Sequence, residues 1–229
     1  MGRKQDLHVH AHKDLAPTLD HYRSHFGIEM TYRIVHHPFT ASQPARIYED
    51  KVVTVDTIPL RHSVPVVGFI FRENKRPLNI RKEAIEKFNL SIKDIRKIKD
   101  GLDHTTGDGL VISNRELTFP PLRTRSYAFC TDTSCFTKLR TTLKNIDLLY
   151  FEATFSDKDK KLARITGHST ASQAATLAFH AGVGKLLIGH FSTRYKSVNP
   201  LLLEARAIFP ETYAVADGEK FSVEQERDA

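Results

Sequence analysis

The chain has 229 residues, 40% hydrophobic and 27% charged, which is the composition of a globular protein of one or two domains and excludes fibrous or low-complexity classes. No apolar run approaches the roughly 20 residues that cross a bilayer, and no signal-peptide pattern opens the sequence, so the reading is a cytoplasmic protein without a membrane partner. The net charge of +7 and pI near 9.4 lean towards a polyanionic partner, and the two cysteines, Cys130 and Cys135, read as reduced thiols rather than a disulfide framework.

Residues 6–11 alternate apolar and polar side chains, as a half-buried strand does. Residues 15–26 read as a helix closed by Gly27. Residues 30–36 and 51–60 are strand-like and rich in β-branched side chains, and 64–71 is a nearly continuous apolar run suited to a strand covered on both faces. Residues 73–118 differ: they are polar and basic, with short helical stretches near 81–88 and 91–99. Lys75, Arg76, Arg81, Lys82, Lys87, Lys93, Arg96 and Lys97 fall here among few acids. This segment has too little apolar surface to suggest a core and reads as an inserted arm in a single domain spanning 1–229.

From Ser126 the pattern becomes strand, helix, strand, helix, strand. SYAFC (126–130), DLLYF (147–151) and KLLI (185–188) are strands. Helices fall at 137–143, at 169–181 with Ser169 placed to cap and Gly182 to end it, and at 200–208. Such alternation predicts parallel strands with helices packed on the sheet, an α/β class.

Each of these strands runs into a residue able to bind metal or move a proton: Asp132, Glu152 and His190. Ligands in open α/β sheets bind beyond the carboxyl ends of strands, so the three should share a rim, with His62 a further candidate after the strand ending at Leu60. A carboxylate with two imidazoles suits zinc or manganese. His168 precedes the capping Ser169, so it sits at a helix N-terminus, where free N–H groups attract phosphate, and it is positioned to donate a proton to a leaving oxygen.

The ordered segments SYAFCTDT, LLYFEATF, GHSTASQAA and KLLIGHFSTRY, preceded by TIPLRHSVPVVGF, resemble the motif series of the ribonuclease Z family over about residues 6–216. The resemblance implies a metallo-β-lactamase-like αββα sandwich and cleavage of tRNA precursors 3′ to the discriminator base. It implies that His62 binds one zinc, that Asp132 bridges two, and that His190 binds the second. His168 would be the proton donor, with Glu152 hydrogen-bonded to it, and Ser169, Thr170, Ser192 and Arg194 would lie near the scissile phosphate. Residues 73–118 would be the family's tRNA-binding arm, with Lys75, Arg76, Arg81 and Lys82 gripping the tRNA precursor.

The family's His-x-His-x-Asp-His motif does not occur in the sequence. The expectation is therefore a sandwich incomplete at its N-terminus, short of roughly 80 residues. Such a chain would hold its two Zn2+ weakly, cleave little, and associate as a homodimer through exposed sheet edges. His8, His10 and His12 imitate the motif, but no Asp-His pair follows in register and they read as incidental. A metal-free tRNA-binding fragment and another phosphodiesterase of the same fold are the rival readings.

Overall fold

A computed structural model describes residues 2–225. The chain forms two compact units, one built from the chain up to Arg72 together with Ser126–Phe221, the other from Glu73–Arg125 and the residues from Ser222.

The first unit opens with strand β1 (Leu7–His12), helix α1 (Leu15–Phe26) and strand β2 (Ile34–Phe39). β1 and β2 pair in parallel, Leu7 opposite Ile34 and His12 opposite Phe39. Gly27 ends α1 at φ 59°, a left-handed turn that carries no β-carbon penalty at glycine. β2 begins four residues later than the sequence suggests and runs through Pro38, which a strand bonded on one side tolerates because no ladder needs its missing N–H. Strands β3 (Arg46–Glu49), β4 (Val53–Pro59) and β5 (Val67–Glu73) follow.

The second unit contains β6 (Asn79–Ile80), α2 (Lys82–Lys87), α3 (Ile92–Lys99), β7 (His104–Thr105), β8 (Val111–Ile112), α4 (Asn114–Leu117) and β9 (Thr118–Phe119). A capping box between Ser91 and Asp94 starts α3. Contrary to the sequence expectation, this segment has a core of its own: Ala84, Leu90, Ile98, Ile112 and Leu117 are buried together. Only α3 carries a periodic apolar signal, with Ile95 and Ile98 three apart; the other buried side chains are scattered over a charged stretch, and the short elements bring them to one point.

The chain returns to the first unit with β10 (Ser126–Cys130), α5 (Lys138–Thr142), β11 (Leu148–Glu152), α6 (Lys160–Thr166), α7 (Ala171–Ala181), β12 (Lys185–Gly189), α8 (Asn199–Arg206) and β13 (Thr212–Ala214). The main sheet has seven strands in the order β13-β12-β11-β10-β5-β4-β3. The four from β10 to β13 are mutually parallel, and β5 is antiparallel to β10.

α7 packs its alanines, Ala171, Ala174, Ala175, Ala178 and Ala181, into the core beside Leu149 and Phe151. Small side chains let this helix lie close to the sheet. Each buried Leu or Phe there contributes about 1.5–3 kcal/mol. Burial also pushes the free thiols up, Cys130 to about 12 and Cys135 to about 11, which disfavours the thiolate at both. Among the described residues no helix is long and apolar enough to cross a membrane.

Candidate active site

Because β10, β11 and β12 run parallel, their carboxyl ends open at the same edge of the sheet. Asp132 lies just past β10, Glu152 ends β11, and His190 follows β12. Asp132 and His190 both adopt left-handed backbone, at φ 52° and 59°. A non-glycine residue costs on the order of 1–2 kcal/mol in that region, and strained positions of this kind gather at functional sites. His62 reaches the same edge from the loop between β4 and β5. That loop is tied down by Arg61, whose N–H donates to Thr133 Oγ1 at 3.0 Å and whose carbonyl accepts from Ser134 N at 2.9 Å.

Glu152 is the hub. Its side chain is 0% exposed, and both carboxylate oxygens are filled. Oε1 accepts from Thr133 N and from His168 Nδ1 at 2.9 Å; Oε2 accepts from Ser169 N at 3.0 Å and from Thr154 Oγ1 at 2.6 Å.

These bonds fix three ring tautomers. A carboxylate only accepts, so His168 Nδ1 carries the hydrogen. Thr154 has one hydroxyl hydrogen and gives it to Glu152, so its 2.8 Å contact with His190 Nδ1 requires that nitrogen to donate. His62 Nδ1 likewise faces the Gly167 carbonyl at 3.2 Å. In each ring Nε2 is then the nitrogen left with a free lone pair, and in His190 that atom faces Asp132. Metal-binding histidines are ordinarily oriented by such a partner on the other nitrogen.

His190 Nε2 lies 3.3 Å from Asp132 Oδ1. A neutral imidazole would set one acceptor against another there, an arrangement that calls for a cation or a proton between them. Two donors on one tetrahedral ion at roughly 2.0–2.2 Å sit about 3.3–3.6 Å apart, so the spacing fits a shared zinc. One donor atom from each of His62, Asp132 and His168 lies within 4.8 Å of the others, as does one from each of Glu152, His168 and His190. Glu152 has no lone pair to spare, which leaves it a positioning residue.

No family model matches the chain. Curated relatives do. A ribonuclease Z of Bacteroides thetaiotaomicron is 42% identical over 212 residues, 93% of this chain and 67% of the relative. One of Bacteroides fragilis is 40% identical, over 93% of this chain and 70% of that protein. One of Phocaeicola vulgatus is 38% identical, over 98% of this chain and 72% of that protein. The chain belongs to the ribonuclease Z family. Members of that family are endoribonuclease hydrolases, and this chain spans about 70% of their length. The fold agrees: the short form of human tRNase Z aligns with a TM-score of 0.57 at 20% identity, over 83% of this chain and 62% of that one. A metallo-β-lactamase fold protein of Bacillus subtilis gives 0.54 at 16%, over 92% of this chain and 62% of that one. The fold is that of the metallo-β-lactamases.

The remaining residues singled out by the ribonuclease Z motifs lie as follows. Ser169 and Thr170 are buried, and their hydroxyls are used. Ser169 Oγ donates to Thr133 O at 2.7 Å, and Thr170 Oγ1 donates to Asp157 at 2.6 Å. Thr170, not Ser169, caps α7, in a capping box with Gln173. The N–H groups of Ser169, Thr170, Ala171 and Gln173 all have acceptors, so the predicted pull of a free helix end on phosphate is largely spent. Arg194 is exposed, its Nε 3.2 Å from Ser192 Oγ and its guanidinium over Phe155. Lys75, Arg76, Arg81 and Lys82 are exposed on the second unit. The His8–His10–His12 run lies on β1, where His8 bonds His37 at 2.8 Å, His10 stacks on His37, and His12 pairs with Asp14. Thr154 and Thr133 were not singled out. A hydroxyl two residues beyond a strand-end carboxylate, in FEATF, is the signal that could have found Thr154.

Proposed function

We propose that this chain carries the strand-end half of a zinc-dependent endoribonuclease site that removes 3′ trailers from tRNA precursors. The observation that carries the reading is the juxtaposition of the Glu152–His168 pair, at 2.9 Å, with the Asp132–His190 contact at 3.3 Å. His62, Asp132 and His190 would hold zinc, Asp132 between two ions. When bound, zinc supplies Lewis-acid activation of the phosphate and of the attacking water. In its doubly protonated form His168 delivers the Nε2 proton to the leaving oxygen and returns to the neutral ring, while Glu152 accepts from Nδ1–H throughout and so fixes it. Through Thr154, the same carboxylate orients His190. Ser169 and Thr170 shape the loop that faces the phosphate, Ser192 and Arg194 meet it from the β12 side, and Lys75, Arg76, Arg81 and Lys82 grip the tRNA precursor. The setting is cytoplasmic. The protein is a homodimer, for which the exposed Tyr22 and Phe26 of α1 supply apolar surface.

A second reading, tRNA binding without cleavage, is favoured by the donor count. Three ligands shared by two ions leave each zinc two protein donors, fewer than the three a catalytic zinc takes. Incubation of the chain with zinc and a 3′-extended tRNA precursor separates the two. Slow release of the trailer that Asp132→Ala abolishes supports the nuclease. A gel shift with no cleavage at any zinc concentration supports the binding fragment, and cleavage that survives Asp132→Ala removes the proposed metal bridge.

A further inference from the structure

The lysines and arginine of α6, with Lys158 in the turn just before it, face solvent. Lys158, Lys160, Lys161 and Arg164 are exposed, and none forms an ion pair among the described residues. Lys160 and Lys161 also occupy the first turn of α6, where the helix dipole favours acids over bases. A solvated helix face normally mixes its charges; α6 itself carries no acid, and Asp157 and Asp159 stand in the turn before it.

All four line a cavity of about 810 Å³ that has His168 at its edge. A second cavity, of about 380 Å³, shares Lys160 and Gln173 with the first and extends the groove to Arg140. Asp157, which lines both and accepts the Thr170 hydroxyl, is the one carboxylate against the five cations Lys158, Lys160, Lys161, Arg164 and Arg140. The groove is thus predominantly cationic, and the imidazole proposed to protonate the leaving oxygen is part of its lining. The N–H groups of Ser169, Thr170, Ala171 and Gln173 already have acceptors, so these side chains are the main groups available to phosphate there.

We infer that this groove is a phosphate track for the RNA strand flanking the scissile bond, with Lys160, Lys161 and Arg164 as its principal contacts. The inference rests on the ribonuclease reading above and adds a substrate-binding surface on α6, separate from the second unit.

The test is fluorescence anisotropy of a labelled 3′-extended tRNA precursor with the full chain across a salt series, a readout that does not depend on metal or turnover. Each lost phosphate contact lowers the slope of log K against log salt by about 0.7–0.9. The triple variant Lys160→Ala/Lys161→Ala/Arg164→Ala is therefore expected to lower the slope by about 2 and weaken binding at least tenfold. A control of equal charge loss, Lys13→Ala/Lys51→Ala/Lys144→Ala, is expected to change binding much less. A parent chain that binds, with a triple variant indistinguishable from it, overturns the track and leaves the nuclease reading intact. Equal losses in the two triple variants also overturn it, because the effect is then bulk charge. A parent that does not bind the precursor overturns both.

Discussion

Glu152 serves four donors from a position that solvent does not reach, and its contribution is set by that arithmetic. Replacing it with glutamine preserves shape but turns one acceptor atom into a donor. Whichever way the amide is turned, one backbone N–H, of Thr133 or of Ser169, faces a donor, and His168 Nδ1 or Thr154 Oγ1 must reverse its role to bond the new NH2. A buried donor left unmade costs about 1–3 kcal/mol, so Glu152→Gln is expected to lower unfolding stability by about that amount, read from urea denaturation. Because the bond that fixes His168 is among those at risk, any trailer cleavage should fall further than the stability loss explains. A variant as stable as the parent would mean that the hub is not assembled in solution. The left-handed backbone at Asp132 and His190 belongs to the same economy: a well-satisfied hub keeps two strained neighbours in place.

At the scale of elements, α7 delivers the loop that holds His168, and its start is fixed by one residue pair. Thr170 accepts from Gln173 N at 3.2 Å, and Gln173 returns a bond to Thr170 N at 2.9 Å. Thr170→Ala is expected to cost about 1–2 kcal/mol and to strip hydrogen-exchange protection from the Gln173 amide. Unchanged protection at that amide would refute the cap. The sequence T-A-S-Q already spelled this box, but two adjacent hydroxyl residues invited the wrong choice by one position. Strands β10, β11 and β12 were legible because short β-branched and aromatic runs ended in chemically distinctive residues, and the parallel topology then brings Asp132, Glu152 and His190 together. α6 was not legible: KKLARIT is under two turns long, and its Ile165 is 80% exposed, so no apolar period marks it. Thr133 escapes for a different reason, since its role arises from contacts with Glu152 and Arg61 that no local spacing encodes, whereas the Thr154 bond to Glu152 spans only two residues.

At the scale of the whole molecule, the second unit leaves and rejoins the chain at Glu73 and Arg125, and these two residues close its base. The Arg125 backbone N–H and guanidinium donate to the Glu73 carboxylate at 3.0 and 2.6 Å, and Arg76 adds a longer contact at 3.5 Å. The arginine beside it holds the Glu73 carboxyl below its ordinary value of 4.5. The direction of the pH effect follows. As pH falls, the unfolded chain takes up this proton first, so the pair's stabilisation is complete above about 4.5 and drains away as pH drops through the lower folded value. Glu73→Ala should cost about 1–2 kcal/mol at neutral pH. It should also flatten the acid dependence of the second unit, followed through hydrogen exchange at the buried Ile98 and Leu117 amides. The gap between variant and parent should narrow below about pH 4.5, because both then lack the charged pair. A gap that stays constant down that range would assign the loss to packing, and the clasp would owe nothing to charge.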